Sequence, residues 1–370
     1  MRSRKWTLVG ALAVAATTFV AASCGGGDDD GSAAEDLTPV TLQSKWVVQA
    51  QFAGYYAAED QGYYEDEGLD VTIRPGGPDI VPEQVVAGGQ AEFGIDWLDS
   101  LLATRDQGQD LVNIAQVFAR SGMTELTWAD SGLDDITKLE GKKVGVWLGG
   151  NEHKLFAALT KNGIDPQKDA DIVAQPFAMD LFLDREVDAA AAMTYNELAQ
   201  VLEVENPDTG ELYTEDELNV FKMSDLGTGA MEDGVFVRGD WIADEANQDV
   251  AKRFLKASFR GWMYCRDNPD DCVQIVLDNG PTLGEGHQAW QMNEVNALIW
   301  PNTLGIGVMD PASFDLTNQI ATDYKIIKKP ATSDAYRTDI AEAALAELED
   351  EDTTGEDWEK PTVEVTPGGE

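Results

Sequence analysis

The sequence predicts an α/β fold with two domains. Short β-type runs alternate with helical patterns from about residue 41 to residue 238, an order typical of βαβ units around parallel sheets. The chain has 370 residues, which usually exceeds what one hydrophobic core can serve. Hydrophobic residues make up 43% of it, with 10 Trp, 12 Phe and 9 Tyr, so we expect packed cores and not global disorder.

The first element is an export signal. A basic start, Met1–Lys5, precedes an uncharged apolar run, Trp6–Ala22, which is short for a membrane span. The run leads into Ala-Ala-Ser-Cys, which resembles a bacterial lipobox, so Cys24 is the predicted lipidation site; a plain secretory signal is the alternative. We therefore expect a signal peptide at residues 1–23, a flexible tether at 24–39, and a membrane-anchored lipoprotein facing the periplasm or the cell exterior.

Strands and helices follow in alternation. The predicted strands are Thr41–Val47, Leu69–Arg74, Ala91–Trp97, Val112–Phe118, Lys143–Trp147, Asp171–Phe177, Val187–Tyr195 and Gly234–Arg238. The predicted helices between them are Phe52–Glu67, Pro82–Gly88, Leu98–Gln107, Glu152–Asn162 and Met179–Asp184. From about Asp249 the pattern is helical, and residues 349–370, which are acidic and poor in apolar side chains, predict a disordered tail.

The remaining cysteines form a candidate disulfide. Cys265 and Cys272 enclose Arg-Asp-Asn-Pro-Asp-Asp, which predicts a helix end, a turn and a new helix start. Such a pair is expected to oxidise outside the cytoplasm, and two reduced, packed thiols are the alternative. We expect no metal site, because the sequence has no Cys/His cluster near them, and no cofactor.

The candidate ligand-binding residues follow the predicted strands, because ligands of open α/β sheets bind beyond the carboxyl ends of strands. They combine aromatic rings for stacking, amides and carboxylates that read a heterocycle edge, and glycines that admit close backbone approach. The candidates are Trp46, Gln51, Tyr55, Tyr56, Gly76, Gly77, Asp96, Trp97, Gly149, Gly150, Asn151, Glu152, Tyr195, Asn196, Glu197 and Asp233. Each tryptophan alone is as compatible with core packing, but several at strand ends favour a pocket.

Five stretches carry a family resemblance over about residues 41–327. They are KWVVQAQFAGYYAAEDQGYYEDEGLDVTIRPGGPDIVPEQVVAGGQAEFGI, VNIAQVFARSG, LEGKKVGVWLGGNE, DAAAAMTYNELAQVL and EDGVFVRGDWIAD. The chain resembles the thiamine-pyrimidine family of periplasmic-binding-protein-like proteins. The resemblance implies a type II periplasmic-binding-protein fold, with one lobe at 40–127 plus 236–340, a second at 128–235, and a ligand cleft between them.

The resemblance also implies a function. The family contains solute-binding lipoproteins of ABC importers that capture pyrimidine precursors of thiamine and deliver them to a permease and its ATPase. We therefore expect a monomer that binds an aminopyrimidine. The carboxylates would accept hydrogen bonds from its amino group or from a ring N–H. The alternatives are riboflavin, which suits aromatic walls equally well, and a sulfonate or taurine. The candidate loops contain little Lys or Arg, which disfavours the sulfonate.

A third alternative is an enzyme, because the family has a eukaryotic branch that makes the thiamine pyrimidine from its own histidine and pyridoxal phosphate. The Lys and His of that branch correspond here to Asp96 and Ser100, and its Cys-rich segment to Glu232–Phe236. The two histidines of the chain, His153 and His287, are expected to be ordinary surface or helix residues. The sequence therefore predicts a binding protein and not an enzyme.

The charge of the chain limits its partners. It carries 68 acidic and 26 basic residues, for a formal charge of −42. Such a field repels phosphate backbones, so nucleic acid is excluded as a partner. Most of these carboxylates are expected to form a solvated acidic surface.

Overall fold

The computed structural model describes residues 37–370. The predicted signal peptide, the lipidation site Cys24 and most of the predicted tether lie outside this range. The first strand begins at Thr38, inside the predicted tether. No helix among residues 37–370 combines the length and apolar character that crossing a membrane requires.

Within residues 37–370, ten strands form two five-stranded sheets. The strands are β1 (Thr38–Gln43), β2 (Leu69–Arg74), β3 (Phe93–Asp96), β4 (Leu111–Gln116), β5 (Met123–Trp128), β6 (Lys143–Val146), β7 (Asp171–Ala174), β8 (Ala189–Met193), β9 (Leu218–Lys222) and β10 (Gly234–Arg238). The first sheet has the order β2-β1-β3-β10-β4 and the second the order β7-β6-β8-β5-β9. This architecture of two α/β sheets is the predicted fold class.

Thirteen α-helices flank the sheets in the described chain. They are α1 (Ala53–Asp60), α2 (Tyr63–Asp66), α3 (Pro82–Ala87), α4 (Leu98–Asp106), α5 (His153–Lys161), α6 (Asp180–Leu183), α7 (Glu197–Leu202), α8 (Gly239–Ile242), α9 (Glu245–Asp267), α10 (Pro269–Asn279), α11 (Glu285–Ile299), α12 (Pro311–Asp323) and α13 (Asp339–Leu345). Several begin at sequence signals: the Asp244 and Asp310 carboxylates accept backbone N–H groups of α9 and α12, and Pro269 opens α10.

The sheets are mixed, which differs from the predicted parallel arrangement. β10 pairs antiparallel with β3 and β4, and β5 pairs antiparallel with β8 and β9. The sequence prediction missed β5 and β9. Polar residues such as Thr124 and Glu125 interrupt the apolar run of β5, and β9 is only partly buried, so neither gave a clear strand pattern.

The chain passes between the sheets twice, after β4 and before β10. β5 belongs entirely to the second sheet, so the first passage lies at 117–122 and precedes the predicted boundary after residue 127. The second passage spans residues 223–233. We use "lobe I" for the part built on the first sheet and "lobe II" for the part built on the second.

Helix α9 is the centre of lobe I. It packs against α1 so closely that a Cβ on Gly261 would lie 2.0 Å from the backbone oxygen of Gly54, so only glycine fits there. Cys265 near the end of α9 and Cys272 in α10 form a disulfide, with 5.4 Å between their Cα atoms. The turn between the two helices therefore brings the sulfurs together as the sequence pattern suggested.

The segment 349–370 differs from the predicted disordered tail. It has little regular structure, yet it lies against both lobes. Trp358 packs on the large buried cluster that includes the core of lobe I, while Val365 packs on the second-lobe cluster that contains Leu202. Asn293 of α11 donates to the backbone oxygen of Pro361 at 3.0 Å. A few apolar residues and backbone hydrogen bonds order this acidic segment, which composition alone does not reveal.

Candidate functional site

One cleft lies at the carboxyl ends of strands from both sheets. It is lined by residues that follow β1, β3, β6, β7 and β8: Lys45, Trp46, Gln49, Gln51, Trp97, Trp147, Asn151, Phe177, Met193, Tyr195, Asn196 and Glu197. The empty space, including the open mouth, is about 410 Å³. Both lobes contribute walls to it, an arrangement typical of small-molecule sites between domains.

Aromatic rings form the walls and mouth of the cleft. Trp46 of lobe I and Phe177 of lobe II meet edge to face, with ring centroids 4.4 Å apart. Trp97, Trp147 and Tyr195 are buried and line the interior. Such rings give a flat ligand stacking surfaces on both sides.

A chain of polar side chains forms the lobe I floor. Nε2 of Gln49 donates to Oε1 of Gln51 at 2.6 Å, and Nε2 of Gln51 donates to Oδ2 of Asp233 at 2.7 Å. Oδ1 of Asp233 is buried and has no hydrogen-bond partner within the described residues. Burial raises the pKa of Asp233 to about 7, although the Gln51 hydrogen bond and the charge of Lys45 oppose this shift. Asp233 can therefore exchange a proton near neutral pH behind Gln51.

A second carboxylate lies on the lobe II side. Oε2 of Glu197 accepts the backbone N–H of Met193 at 2.9 Å, and its Oε1 accepts Nδ2 of Asn196 at 2.7 Å. Burial raises the pKa of Glu197 to about 7, against the lowering effect of these hydrogen bonds. Asn196 and Glu197 thus face the cleft as one hydrogen-bonded unit at the start of α7.

Lys45 is a basic residue in the cleft that the sequence analysis did not select. Its ammonium forms an ion pair with Asp96 and lies 4.7 Å from the centre of the Trp97 ring. Burial alone would lower the pKa of Lys45, but Asp96, Glu83 and Asp233 outweigh burial and raise it. The sequence analysis expected little Lys or Arg in the loops of the site, and Lys45 corrects this expectation. Its charge is paired with the carboxylate of Asp96.

A buried ionic cluster lies behind the cleft and joins the two lobes. Nζ of Lys154, on α5 of lobe II, lies 3.5 Å from the Trp97 ring centre, 3.7 Å from Oδ1 of Asp99 on α4, and 3.8 Å from Oε1 of Glu232. Burial would raise the pKa of Asp99, but Lys154 and His153 lower it to about 2. Asp99 is therefore ionised at neutral pH and attracts lobe II across the interface.

Glu232 also ties the two passages of the chain together. Glu232 lies on the second passage. Its carboxylate accepts hydrogen bonds from the hydroxyl of Ser121 at 2.6 Å and from the backbone N–H of Gly122 at 2.8 Å, and both donors lie on the first passage. It also accepts the N–H of Met123 at 3.2 Å. Burial raises the pKa of Glu232 while Lys154 and these donors lower it, with a net rise. This carboxylate therefore holds the two passages of the chain together.

The structure brings seven of the sixteen predicted site residues into the cleft lining, and these are Trp46, Gln51, Trp97, Asn151, Tyr195, Asn196 and Glu197. Asp96 and Asp233 are outside the lining and contact it through Lys45 and Gln51. The sequence analysis missed Lys45, Gln49, Trp147, Phe177 and Met193. All five lie at or just beyond strand ends, so position would have found them, whereas residue type alone did not single them out.

The other predicted site residues have structural surroundings. Tyr55 and Tyr56 are buried in the core, and Tyr55 packs edge to face on Trp262 with ring centres 5.6 Å apart. Gly76 donates its N–H to the oxygen of Trp46 at 2.7 Å, and a Cβ there would lie 2.3 Å from the oxygen of Ser44. Gly76 therefore holds the loop that presents Lys45 and Trp46, and does not line the cleft.

Four further predicted residues lie outside the cleft lining: Gly77, and Gly149, Gly150 and Glu152 in the loop before α5. Gly149 and Gly150 have positive φ angles of 103° and 120°, which shape the turn after β6. Oε2 of Glu152 accepts the N–H of Gly150 at 2.8 Å. Of the four predicted residues in this loop, Asn151 alone lines the cleft.

Comparisons with known proteins agree with this architecture. A family model described as NMT1/THI5 like matches residues 49–272. Riboflavin-binding protein RibY of Chloroflexus aurantiacus is 25% identical over 80% of this chain and 83% of its own. The formylaminopyrimidine-binding protein of Halalkalibacterium halodurans is 24% identical over 66% of this chain and 72% of its own.

An enzyme and a solved structure complete the comparison. The 4-amino-5-hydroxymethyl-2-methylpyrimidine phosphate synthase of Candida albicans is 25% identical over 66% of this chain and 72% of its own. The alkanesulfonate-binding protein SsuA of Xanthomonas axonopodis, bound to MOPS, superimposes with a TM-score of 0.60 at 13% identity, covering 82% of this chain and 99% of its own. The structural likeness confirms the fold.

Proposed function

The chain belongs to the NMT1/THI5-like family, and from that premise we propose that it is an extracytoplasmic solute-binding protein of an ABC importer. Its cleft captures an aminopyrimidine precursor of thiamine and presents it to a permease and its ATPase. The supporting observation is a two-lobed cleft that combines aromatic walls with the carboxylate of Glu197 in its lining and that of Asp233 behind Gln51; burial raises the pKa of each to about 7. Among the relatives, one is named for binding a formylaminopyrimidine.

The chemistry of the cleft favours an amino-bearing flat ring. Trp97, Trp147 and Tyr195 offer stacking faces, and Asn151, Asn196 and Gln51 offer amide donors and acceptors to the ring edge. Carboxylates accept hydrogen bonds from an exocyclic amino group or a protonated ring nitrogen. The excess of buried acids over the cations Lys45 and Lys154 disfavours an anionic ligand such as a sulfonate, because Asp96, Asp99 and Glu232 already pair with both.

We propose that the protein works as a lipid-anchored monomer. Cleavage before Cys24 and lipidation of that residue would hold the two lobes near the permease, with the segment after Cys24 as a tether. The lobes would close on the ligand about the passages 117–122 and 223–233, which is a hinge motion typical of such folds. The disulfide between Cys265 and Cys272 is consistent with a location outside the cytoplasm, where the environment is oxidising.

We propose binding and not synthesis. The family includes pyrimidine phosphate synthases, so membership alone does not separate the two. At the position that the resemblance assigns to the synthase lysine, this chain has Asp96, which pairs with Lys45. The ammonium of Lys45 is thereby held by a carboxylate at the edge of the cleft, an arrangement that suits charge balance around a ligand.

Riboflavin is the second candidate ligand. The riboflavin-binding relative aligns over a larger share of this chain than the formylaminopyrimidine-binding one, and an isoalloxazine also stacks between aromatic walls. The mouth contact of Trp46 and Phe177 would have to open further for this larger ring system.

A thermal-shift screen tests the proposal. The protein from Gly25 onward would be mixed with formylaminopyrimidine, aminomethylpyrimidine, thiamine, riboflavin and taurine. A ligand present at one hundred times its Kd stabilises the folded state by about 2.7 kcal/mol, so the unfolding midpoint should rise by several degrees with an aminopyrimidine. If only riboflavin raises the midpoint, riboflavin and not an aminopyrimidine is the ligand. If only taurine raises it, the ligand is not an aromatic heterocycle and the proposal is refuted.

A further inference from the structure

The C-terminal segment is fixed to lobe I where it begins. Nη1 of Arg266, near the end of α9, donates to the backbone oxygen of Asp352 at 2.6 Å and lies 3.2 Å from its Oδ2. The backbone oxygen of Thr353 accepts the N–H of Ile306, in the loop after α11, at 2.9 Å. Because α9 is the centre of lobe I, these contacts make the start of the segment part of that lobe.

The segment then runs back along α11, away from the passages between the lobes. The end of α11 contacts the first passage, since the N–H of Ala119 donates to the backbone oxygen of Leu298 at 3.0 Å. Further back on the helix, Nδ2 of Asn293 donates to the backbone oxygen of Pro361 at 3.0 Å. Residues after Pro361 therefore reach the start of α11, the end that lies farther from the passages.

The last residues of the segment are fastened to lobe II. The N–H of Gly368 donates to the backbone oxygen of Glu203, just after α7, at 2.9 Å. Val365 packs on the second-lobe cluster that contains Leu202. Gly369 is buried, and a Cβ on it would lie 3.0 Å from Oε2 of Glu203. The segment thus joins the two lobes in addition to the passages 117–122 and 223–233.

Two glycines of α11 leave room for this segment. Neither Gly284, just before the helix, nor Gly286, inside it, has a positive φ angle, so neither backbone conformation requires glycine. A Cβ on Gly284 would lie 2.2 Å from the backbone oxygen of Gly369, and one on Gly286 would lie 1.9 Å from Oγ1 of Thr366. Glycine is unfavourable inside a helix, so the close approach of the segment is what these two positions provide.

The first half of α11 lies between the lobes beside the cleft. Oε1 of Gln291 accepts the backbone N–H of Gln51, a lining residue of lobe I, at 3.2 Å. Nε2 of His287 is 2.8 Å from Oδ1 of Asn196, a lining residue of lobe II. The end of the C-terminal segment covers this place, because a Cβ on Gly369 would lie 2.8 Å from Cβ of His287.

The distance from the passages makes this fastening effective. From Leu298 at the first passage to His287 beside Gly369, α11 is about 16 Å long, at a rise of 1.5 Å per residue. A rotation of lobe II by about 10° around the passages would move this point by roughly 3 Å, which breaks the hydrogen bond between Gly368 and Glu203. We propose that residues 352–370 form a strap that restrains the two lobes against opening.

A consequence for ligand exchange follows, and it rests on the proposed function of the cleft. A ligand enters and leaves when the lobes open, so a strap that must detach first slows both steps. The strap holds the closed lobes through the same contacts whether or not the cleft is occupied. It should therefore change the association and dissociation rates together and leave the Kd almost unchanged.

The first test needs no ligand. Spin labels on Asp79→Cys of lobe I and Leu148→Cys of lobe II, in the protein from Gly25 onward, report the distance between the lobes by double electron–electron resonance. Both positions are exposed and lie outside the cleft lining. The native Cys265 and Cys272 take no label, because they form a disulfide.

Two variants release the strap in this test. Gly284→Ala puts a methyl group where the backbone of Gly369 lies, and a chain that ends at Glu359 lacks the part that reaches lobe II. In both, the mean distance between the labels should increase by about 3 Å or more. Glu285→Ala, at an exposed position on the same turn, is the matched control and should keep the wild-type distance.

Addition of a peptide of residues 360–370 should return the shortened chain to the wild-type distance. A wild-type distance in the shortened chain, with its fold verified by far-UV circular dichroism, would overturn the proposal. If the shortened chain does not fold, Gly284→Ala decides: a distance equal to that of Glu285→Ala overturns the strap.

The second test measures ligand exchange by stopped-flow fluorescence, with formylaminopyrimidine or, if that is the binder, riboflavin. In Gly284→Ala both rates should rise roughly fivefold while the Kd changes less than about twofold, and Glu285→Ala should match wild type. If neither probe binds, the proposed function fails while the distances between the lobes still decide the strap. If a probe binds and the lobes of Gly284→Ala open further at wild-type rates, the strap does not control ligand exchange.

Discussion

At the scale of single residues, the chain buries carboxylates that the sequence presents as ordinary acidic positions. Asp233, Glu197, Asp99, Glu232 and Glu125 are all buried in a protein whose formal charge is −42. Four of them have hydrogen-bond donors or a lysine nearby, and they shape the cleft or the hinge. Burial of a charge is costly unless it is paired or neutralised, and this cost leads to separate predictions for Asp233 and Glu125.

Asp233 should strengthen the binding of an amino-bearing ligand through Gln51, which lines the cleft and donates to the Asp233 carboxylate. Asp233→Asn keeps the shape and the contact to Gln51 but removes the charge, so the Kd for formylaminopyrimidine should rise at least tenfold, which isothermal titration calorimetry would measure. Asp70→Asn, on the exposed face of β2, is the matched control and should leave the Kd unchanged. Equal affinities of Asp233→Asn and wild type would remove Asp233 from the site.

Glu125 should lower the stability of the fold at neutral pH. Both carboxylate oxygens are buried without a partner in residues 37–370, and burial raises the pKa of Glu125 well above its ordinary value. The folded state therefore holds a proton that the unfolded state releases above about pH 4.5, so the free energy of unfolding falls as the pH rises from there.

Substitution of Glu125 tests this sign. Glu125→Leu should raise the free energy of unfolding at pH 8 by about 1–3 kcal/mol, and Glu125→Gln should reduce its decline between pH 5 and pH 8. Urea unfolding at both pH values gives the measurement, with exposed Glu140→Gln as the control. A wild-type decline that Glu125→Gln leaves intact would place the titrating group elsewhere.

At the scale of elements, residues at or beyond strand ends line the cleft, and the strands and helices hold them in place. The sequence predicted most strands within a few residues, and Leu69–Arg74 and Gly234–Arg238 are confirmed at both ends. It could not separate loop residues that enter the cleft from those that support it. Gly76 and Trp46 both follow strands, yet Gly76 does not line the cleft. Its missing side chain leaves room for the backbone of the loop that carries Trp46.

The loop after β7 should control ligand release. Phe177 is 41% exposed and closes the mouth against Trp46 across the lobes. Phe177→Ala should increase the dissociation rate of the bound ligand roughly fivefold, because about 1 kcal/mol of aromatic contact is lost on the bound, closed form. Stopped-flow tryptophan fluorescence would measure this rate. Leu148→Ala, an exposed apolar residue of the loop after β6 outside the lining, should leave it unchanged.

At the scale of the whole molecule, the lobes are joined by more than the two passages of chain. The cluster of Lys154, Asp99 and Glu232 spans the interface, and the C-terminal segment lies on both lobes through Trp358 and Val365. These contacts define the relative position of the walls of the cleft in this structure. The overall charge has no comparable role, since most carboxylates remain at the surface.

Lys154 should be the strongest single contributor to this union. Lys154→Met preserves much of the volume but leaves Asp99 and Glu232 buried without their cation, which should cost about 3–5 kcal/mol of unfolding free energy at pH 7. The loss should shrink as the pH falls towards 2, since protonated Asp99 no longer needs the lysine. Thermal unfolding of the variant against exposed Lys168→Met gives the comparison, and a loss independent of pH would argue against an ionic origin.

The sequence by itself determined the α/β class, the strand-end positions around which the cleft forms, the disulfide pair and the family. These follow from local periodicity, turn residues and motifs, which each short stretch of chain carries on its own. Only the tertiary structure decided that Lys45 and Phe177 enter the cleft, that Tyr55 and Tyr56 do not, that residues 349–370 are packed, and that His287 reaches Asn196. The physical reason is that these contacts join residues far apart in sequence, and the packing of two sheets fixes them while local pattern leaves them open.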